Sequence, residues 1–153
     1  KGLPANEYAG YNLFLFDGNE LIYTSNIEVQ GTQSTQVLAP GYYGLSNAQL
    51  GATWPKCTTG AQSLEAATAR DFDADDLLDM LNNRQQPSDE LLPQRGQPIE
   101  HERRLAPCFI VGDHYGTRAC TAFILHKEHM TFAEQSYAAG GKATGLVKFE
   151  LAR

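Results

Sequence analysis

Two stretches carry residues whose types and spacing could do chemistry. In "GLSNAQLGATWPK" a glycine-flanked Ser46-Asn47 pair follows a short apolar run. A side-chain amide is both donor and acceptor, and glycine lets backbone approach a ligand closely. In "GDHYGTRACTAFIL" Arg118 stands after Tyr115-Gly116-Thr117, at the mouth of an apolar strand pattern. A guanidinium there is costly to desolvate without a carboxylate or a ligand anion as partner. The structural alternatives are that Asn47 caps a turn and that Arg118 makes an ion pair.

Other chemistries find less in the chain. Cys108 and Cys120 lie in apolar strand patterns, where a thiol serves as a small buried hydrophobe, and Cys57 after Pro55-Lys56 is the thiol expected to be exposed, with nothing local to activate it. His126 and His129 straddle a turn without a second pair of ligands nearby, so no metal is expected. No Cys-Pro haem motif accompanies them or the remaining His101 and His114, and no cofactor is expected. The phosphate-binding loop, the dinucleotide fingerprint, the zinc-protease helix and the serine nucleophile elbow are all missing. Asp73, Asp75 and Asp76 are carboxylates of a helix first turn.

The elements that must hold these residues can be read from periodicity. "YNLFLF", "DGNE" and "LIYTSNIEV" form a hairpin with strands near 11–16 and 20–29. Strand, turn, strand follows through Val37, Leu38, Pro40-Gly41, Tyr43 and Leu45. "SLEAATARD" and "DADDLLDMLNN" are helices, the second opened by Asp73. Residues 84–107 dissolve into Gln, Pro and mixed charge, a long surface loop. "CFIV", "RACTAFILHK", "MTFAEQSYA" and "TGLVKFELA" are strands, the middle two joined at Lys127 to His129.

The chain of 153 residues is one domain's worth, with 42% hydrophobic and 20% charged residues. A net charge of −6 without a basic face argues against nucleic acid and anionic membranes. No apolar run is long enough for a membrane span. Three unpaired cysteines fit a reducing compartment, so a cytoplasmic location is expected. "CTAFIL" and "YNLFLF" are apolar on both faces, which calls for sheet packed on sheet with helices outside.

In that order, "YAGYNLFLFD", "LAPGYYGLSNAQLGATWPK", "YGTRACTAFIL" and "MTFAEQSY" resemble the NRDE family, also called the transport and Golgi organisation family. Gln135 stands where that family usually has arginine. The likeness covers most of the chain outside 84–107 and implies an α/β, four-layer αββα sandwich of the N-terminal-nucleophile-hydrolase type. The family's Asn-Arg-Asp-Glu element and early Met-Cys are not in this sequence, which begins with Lys. The chain is therefore expected to be the C-terminal part of such a protein, incomplete as a fold, with the nucleophile on an N-terminal segment that would be its first partner. An exposed apolar sheet face would also allow self-association.

The resemblance implies one of two functions. One is a cysteine amidohydrolase of linear amides, with Asn47 as an oxyanion-hole donor or substrate positioner and Arg118 favouring the nucleophile's thiolate. Tyr43, Trp54 and Tyr115 would line the substrate pocket, although all three are equally ordinary as packing at a sheet rim. The other is a non-catalytic carrier or trafficking protein for a small-molecule ligand of haem or lipid metabolism, on the same fold.

Overall fold

A computed structural model describes residues 7–29 and 32–152. The chain packs as two compact units, Lys1–Ala52 and Thr53–Arg153. Each unit owns a complete three-stranded antiparallel sheet of consecutive strands, so its pairing is local.

In the first unit, β1 (Asn12–Phe16), β2 (Leu21–Val29) and β3 (Thr32–Leu38) pair in chain order. The expected hairpin forms, with Phe16 opposite Leu21 and Phe14 opposite Tyr23. Asp17 closes its turn by accepting from the backbone N–H groups of Asn19 and Glu20, both at 2.8 Å, and Gly18 takes a φ of 100°. No strand forms around Tyr43 and Leu45. The backbone there closes a loop instead, with the Gly51 N–H donating to the Gly44 carbonyl at 3.2 Å.

In the second unit, α1 (Pro55–Thr68) precedes α2 (Ala74–Leu81). The first helix starts at Pro55, well before the "SLEAATARD" segment, because proline's fixed φ suits the first helical position after an extended Trp54. The second opens on a capping box: the Asp73 carboxylate accepts from Asp75 N and Asp76 N, and Asp76 accepts from Asp73 N at 3.1 Å.

Residues 84–107, expected as loop, contain a 3-10 turn at Asp89–Leu91 and a short helix α3 (Ile99–Leu105). "CFIV" is not a strand, because Phe109 N donates to the Asn83 carbonyl and Ile110 bonds across a tight loop to Thr117. β4 (Ala119–Leu125), β5 (His129–Ala138) and β6 (Lys142–Ala152) then form the second sheet.

One face of that sheet meets α2. Cys120, Ala122, Ala133 and Tyr137 are buried against Ala74, Leu77 and Leu78, with fully buried Phe109 set edge-on to Tyr137 at 4.6 Å between ring centroids. The opposite face aligns Phe123 with Phe132 and Phe132 with Phe149, and β6 is exposed along its whole length. The described architecture is mixed α/β, with two three-stranded antiparallel sheets and three α-helices. Among the described residues no helix is long and apolar enough to cross a membrane.

Candidate functional site

The Asn47 loop is held by two strand residues that the sequence did not single out. Tyr23, almost fully buried in β2, donates its hydroxyl to Asn12 Oδ1 at 2.5 Å and accepts from Leu50 N at 3.3 Å. Asn12 in turn donates through Nδ2 to the Ala48 carbonyl at 3.2 Å. These bonds fix Ala48 and Leu50, which follow Asn47, and Gly51 supplies the left-handed turn, φ 77°, that lets the loop return. Asn47 is exposed on the rim of an open hollow of about 620 Å³ that it shares with Gly10, Tyr11, Asn12, Leu45 and Ser46. Its amide makes no hydrogen bond among the described residues, and the turn around it closes by backbone, Ala48 N to Ser46 O at 2.8 Å. Tyr43 is committed locally, donating its hydroxyl to the Ala39 carbonyl at 2.7 Å while its ring covers Gly41.

The Arg118 loop belongs to the second unit and is equally constrained. Thr117 bonds Ile110 twice, Ile110 N to Thr117 Oγ1 and Thr117 N to Ile110 O, both at 2.9 Å. Gly116 and Gly112 allow the close approach: an added Cβ would lie 2.8 Å from Ile110 O at one and 2.4 Å from Tyr115 O at the other. Tyr137 N then donates to the Arg118 carbonyl at 2.8 Å and starts the β4–β5 ladder. The Arg118 side chain is exposed and has neither ion pair nor hydrogen bond among the described residues, and Tyr115 beside it is exposed as well. The tight loop leaves the guanidinium facing water, so the ion-pair alternative finds no partner among these residues.

Trp54 is half-buried at the start of α1. Its ring lies 4.9 Å from the Arg95 guanidinium and 5.9 Å from Lys56 Nζ. Both contacts are of cation–π kind. Lys56 donates to the Leu105 carbonyl at 2.8 Å, and burial pulls its pKa below the usual lysine range. The sequence showed Lys56 only as the last letter of a motif; its partners lie many residues away in the 84–107 segment.

Two of the three thiols reverse the expectation: Cys57 is buried in α1 and Cys108 is exposed outside any strand, while Cys120 is buried in β4 as its apolar pattern suggested. Burial, before any other cause, pushes Cys57, Cys108 and Cys120 above the usual thiol range. Lys56 works the other way on Cys57 and Cys108, but desolvation is the larger effect. Gln135, where the resembled family usually has arginine, donates Nε2 to the carbonyls of Gly145 at 2.8 Å and Ser136 at 3.0 Å, stitching β5 to β6. His126 and His129 stack at 4.1 Å across their turn.

A family model described as Transport and Golgi organisation 2 matches residues 3–139. Among curated proteins the chain is 35% identical over 144 residues to the Transport and Golgi organization protein 2 homolog of Homo sapiens, covering 84% of this chain and 51% of that protein. It is 33% identical over 144 residues to the Transport and Golgi organization 2 homolog of Mus musculus, with the same coverage. The bovine homolog is 35% identical over 145 residues. The chain thus spans about half the length of the curated relatives it matches. No solved structure matches it.

Proposed function

We propose, for a chain that belongs to the Transport and Golgi organisation 2 family, that it acts as a non-catalytic domain handling a small-molecule ligand in that family's transport role. The observation that carries this reading is the open hollow of about 620 Å³ on whose rim the Asn47 amide makes no hydrogen bond among the described residues. The chain's own three thiols add no activated nucleophile, since burial, before any other cause, raises the pKa of each. In this reading Asn47 and Arg118 are free to meet a ligand, because neither side chain is engaged by a described residue.

A second reading is favoured by the uncommitted Asn47 amide. A side-chain donor presented on a glycine-flanked loop is what a cysteine amidohydrolase would keep for its oxyanion. Its nucleophile would come from outside this chain, and the open face of β4–β6 would receive the second sheet of a four-layer αββα sandwich.

The test uses the full-length protein with a thiol-directed acylating probe and simple linear amides. Labelling without amide turnover is the expected result. Turnover that falls with Asn47→Ala, at unchanged melting temperature, would replace the carrier by the hydrolase.

A further inference from the structure

The first turns of α1 carry Lys56, Thr59, Gly60 and Ser63 at the spacing of one helix face. That face lines a cavity of about 300 Å³ together with the apolar Met80, Leu81 and Leu91 and the polar Asn83, Gln85, Gln86 and Ser88. Three of its features have no explanation in the packing of the fold. The half-buried Lys56 ammonium has the Leu105 carbonyl as an acceptor but no carboxylate partner among the described residues. Arg95 nearby has its charge met by Glu102, which leaves Lys56 as the cation without a carboxylate. A desolvated cation is ordinarily met by an anion.

The hydroxyls of Thr59 and Ser63, one and two turns further along the face, make no hydrogen bond among the described residues, although helical hydroxyls readily bond back to a carbonyl. Gly60 lies inside the helix at a negative φ that any residue adopts, and a Cβ there would meet nothing within 4 Å. Glycine weakens a helix interior relative to alanine, and no neighbour here requires it. What its missing side chain provides is room in the cavity.

We infer that this cavity binds a small organic carboxylate. The carboxylate would sit on Lys56 and accept from the two hydroxyls, and its apolar body would lie on Met80, Leu81 and Leu91. At the ~30 Å³ that each water takes in the liquid, the volume admits a ligand of about ten non-hydrogen atoms. The inference uses neither Asn47 nor Arg118 and stands whether the protein is a carrier or a hydrolase.

Titration of the protein with hexanoate and benzoate, read by calorimetry and by the amide resonances of Lys56, Thr59 and Gly60, tests it. Both acids should bind with Kd in the millimolar range or tighter, and the uncharged hexanamide at least tenfold more weakly. Lys56→Met should weaken the carboxylates at least tenfold. Gly60→Leu should abolish binding while the melting temperature stays level or rises; if that variant folds poorly, Lys56→Met carries the test alone. Equal binding of hexanoate and hexanamide, phosphate binding as tightly as hexanoate, unchanged binding by a folded Gly60→Leu, or no binding of either acid would each overturn the assignment.

Discussion

Arg95 holds Glu102 with three groups: Nε and Nη2 both donate to Oε2, Nε at 2.9 Å, and the Arg95 backbone N–H donates to Oε1 at 3.2 Å. Glu102 is 3% exposed, on α3, and the same guanidinium covers Trp54. One side chain therefore ties the 84–107 segment to the start of α1. Paired and hydrogen-bonded in this way, a buried carboxylate is kept ionised.

The first prediction follows from that pair. The Arg95 hydrogen bonds, before any other cause, hold the Glu102 pKa below the usual carboxylate range. A group depressed on folding contributes stability above its unfolded pKa, about 4.3 for glutamate, and loses it as pH falls through the folded value. Glu102→Gln should lower the melting temperature at neutral pH and expose 84–107 to limited proteolysis. The gap between parent and variant should close as pH drops below about 4. Because Asp17, Asp76 and Asp89 are depressed too, the difference between the two proteins, and not the parent's acid curve, isolates Glu102. A gap that stays constant down to acid unfolding would show that Glu102 does not depend on the ion pair.

The second concerns the loop that presents Asn47. Tyr23→Phe removes the donor to Asn12 Oδ1 and the acceptor for Leu50 N while keeping the ring that packs on Phe14 at 5.3 Å. A cost of about 0.5–1.5 kcal/mol is expected for such a loss. It should appear as faster hydrogen exchange at Leu50 and Gly51 with the β1–β2 amides unchanged. Uniformly faster exchange across the sheet would mean that the hydroxyl supports the strands and not the loop.

What the sequence made legible is local. The Asp17-Gly18 turn and the Asp73 capping box each join groups two or three residues apart, and both are found as the residue types predict. The ends of β1, β2 and β4 to β6 follow from runs of apolar and β-branched residues. Three features depended on partners remote in the chain and left no local trace. The "CFIV" segment has strand composition, but Asn83 claims the backbone of Phe109. Residues 84–107 look like loop, yet pairing of Arg95 with Glu102 and of Arg103 with Asp89 supports a helix there. Lys56 gains its character only when Leu105 and Arg95 close over it. For Asn47 and Arg118 the flanking glycines and apolar runs marked positions at strand mouths, and a family resemblance supplied the roles.

The third prediction rests on the outer face of β4–β6. Residues two apart along a strand share a face, so Phe123, Phe132, Phe149, Val147 and Leu151 stand together on the side away from α2. Phe123, Phe149, Val147 and Leu151 are each about half exposed, and Phe132 and Phe149 lie 6.3 Å apart between ring centroids. β6 also leaves one hydrogen-bonding edge unpaired in its sheet. An apolar face beside an open edge invites association. The chain should therefore self-associate with rising concentration in sedimentation. Phe149→Lys should shift it toward monomer without lowering the melting temperature, because a charge at an exposed strand position meets water rather than the core. Lys148, next to Phe149, points its own side chain to the α2 side, pairs with Asp75 at 2.6 Å and provides the control: Lys148→Ala removes a surface ion pair and should leave association unchanged. A chain that stays monomeric at all concentrations, or a Phe149→Lys variant that associates as the parent does, would show that this face is not where copies meet.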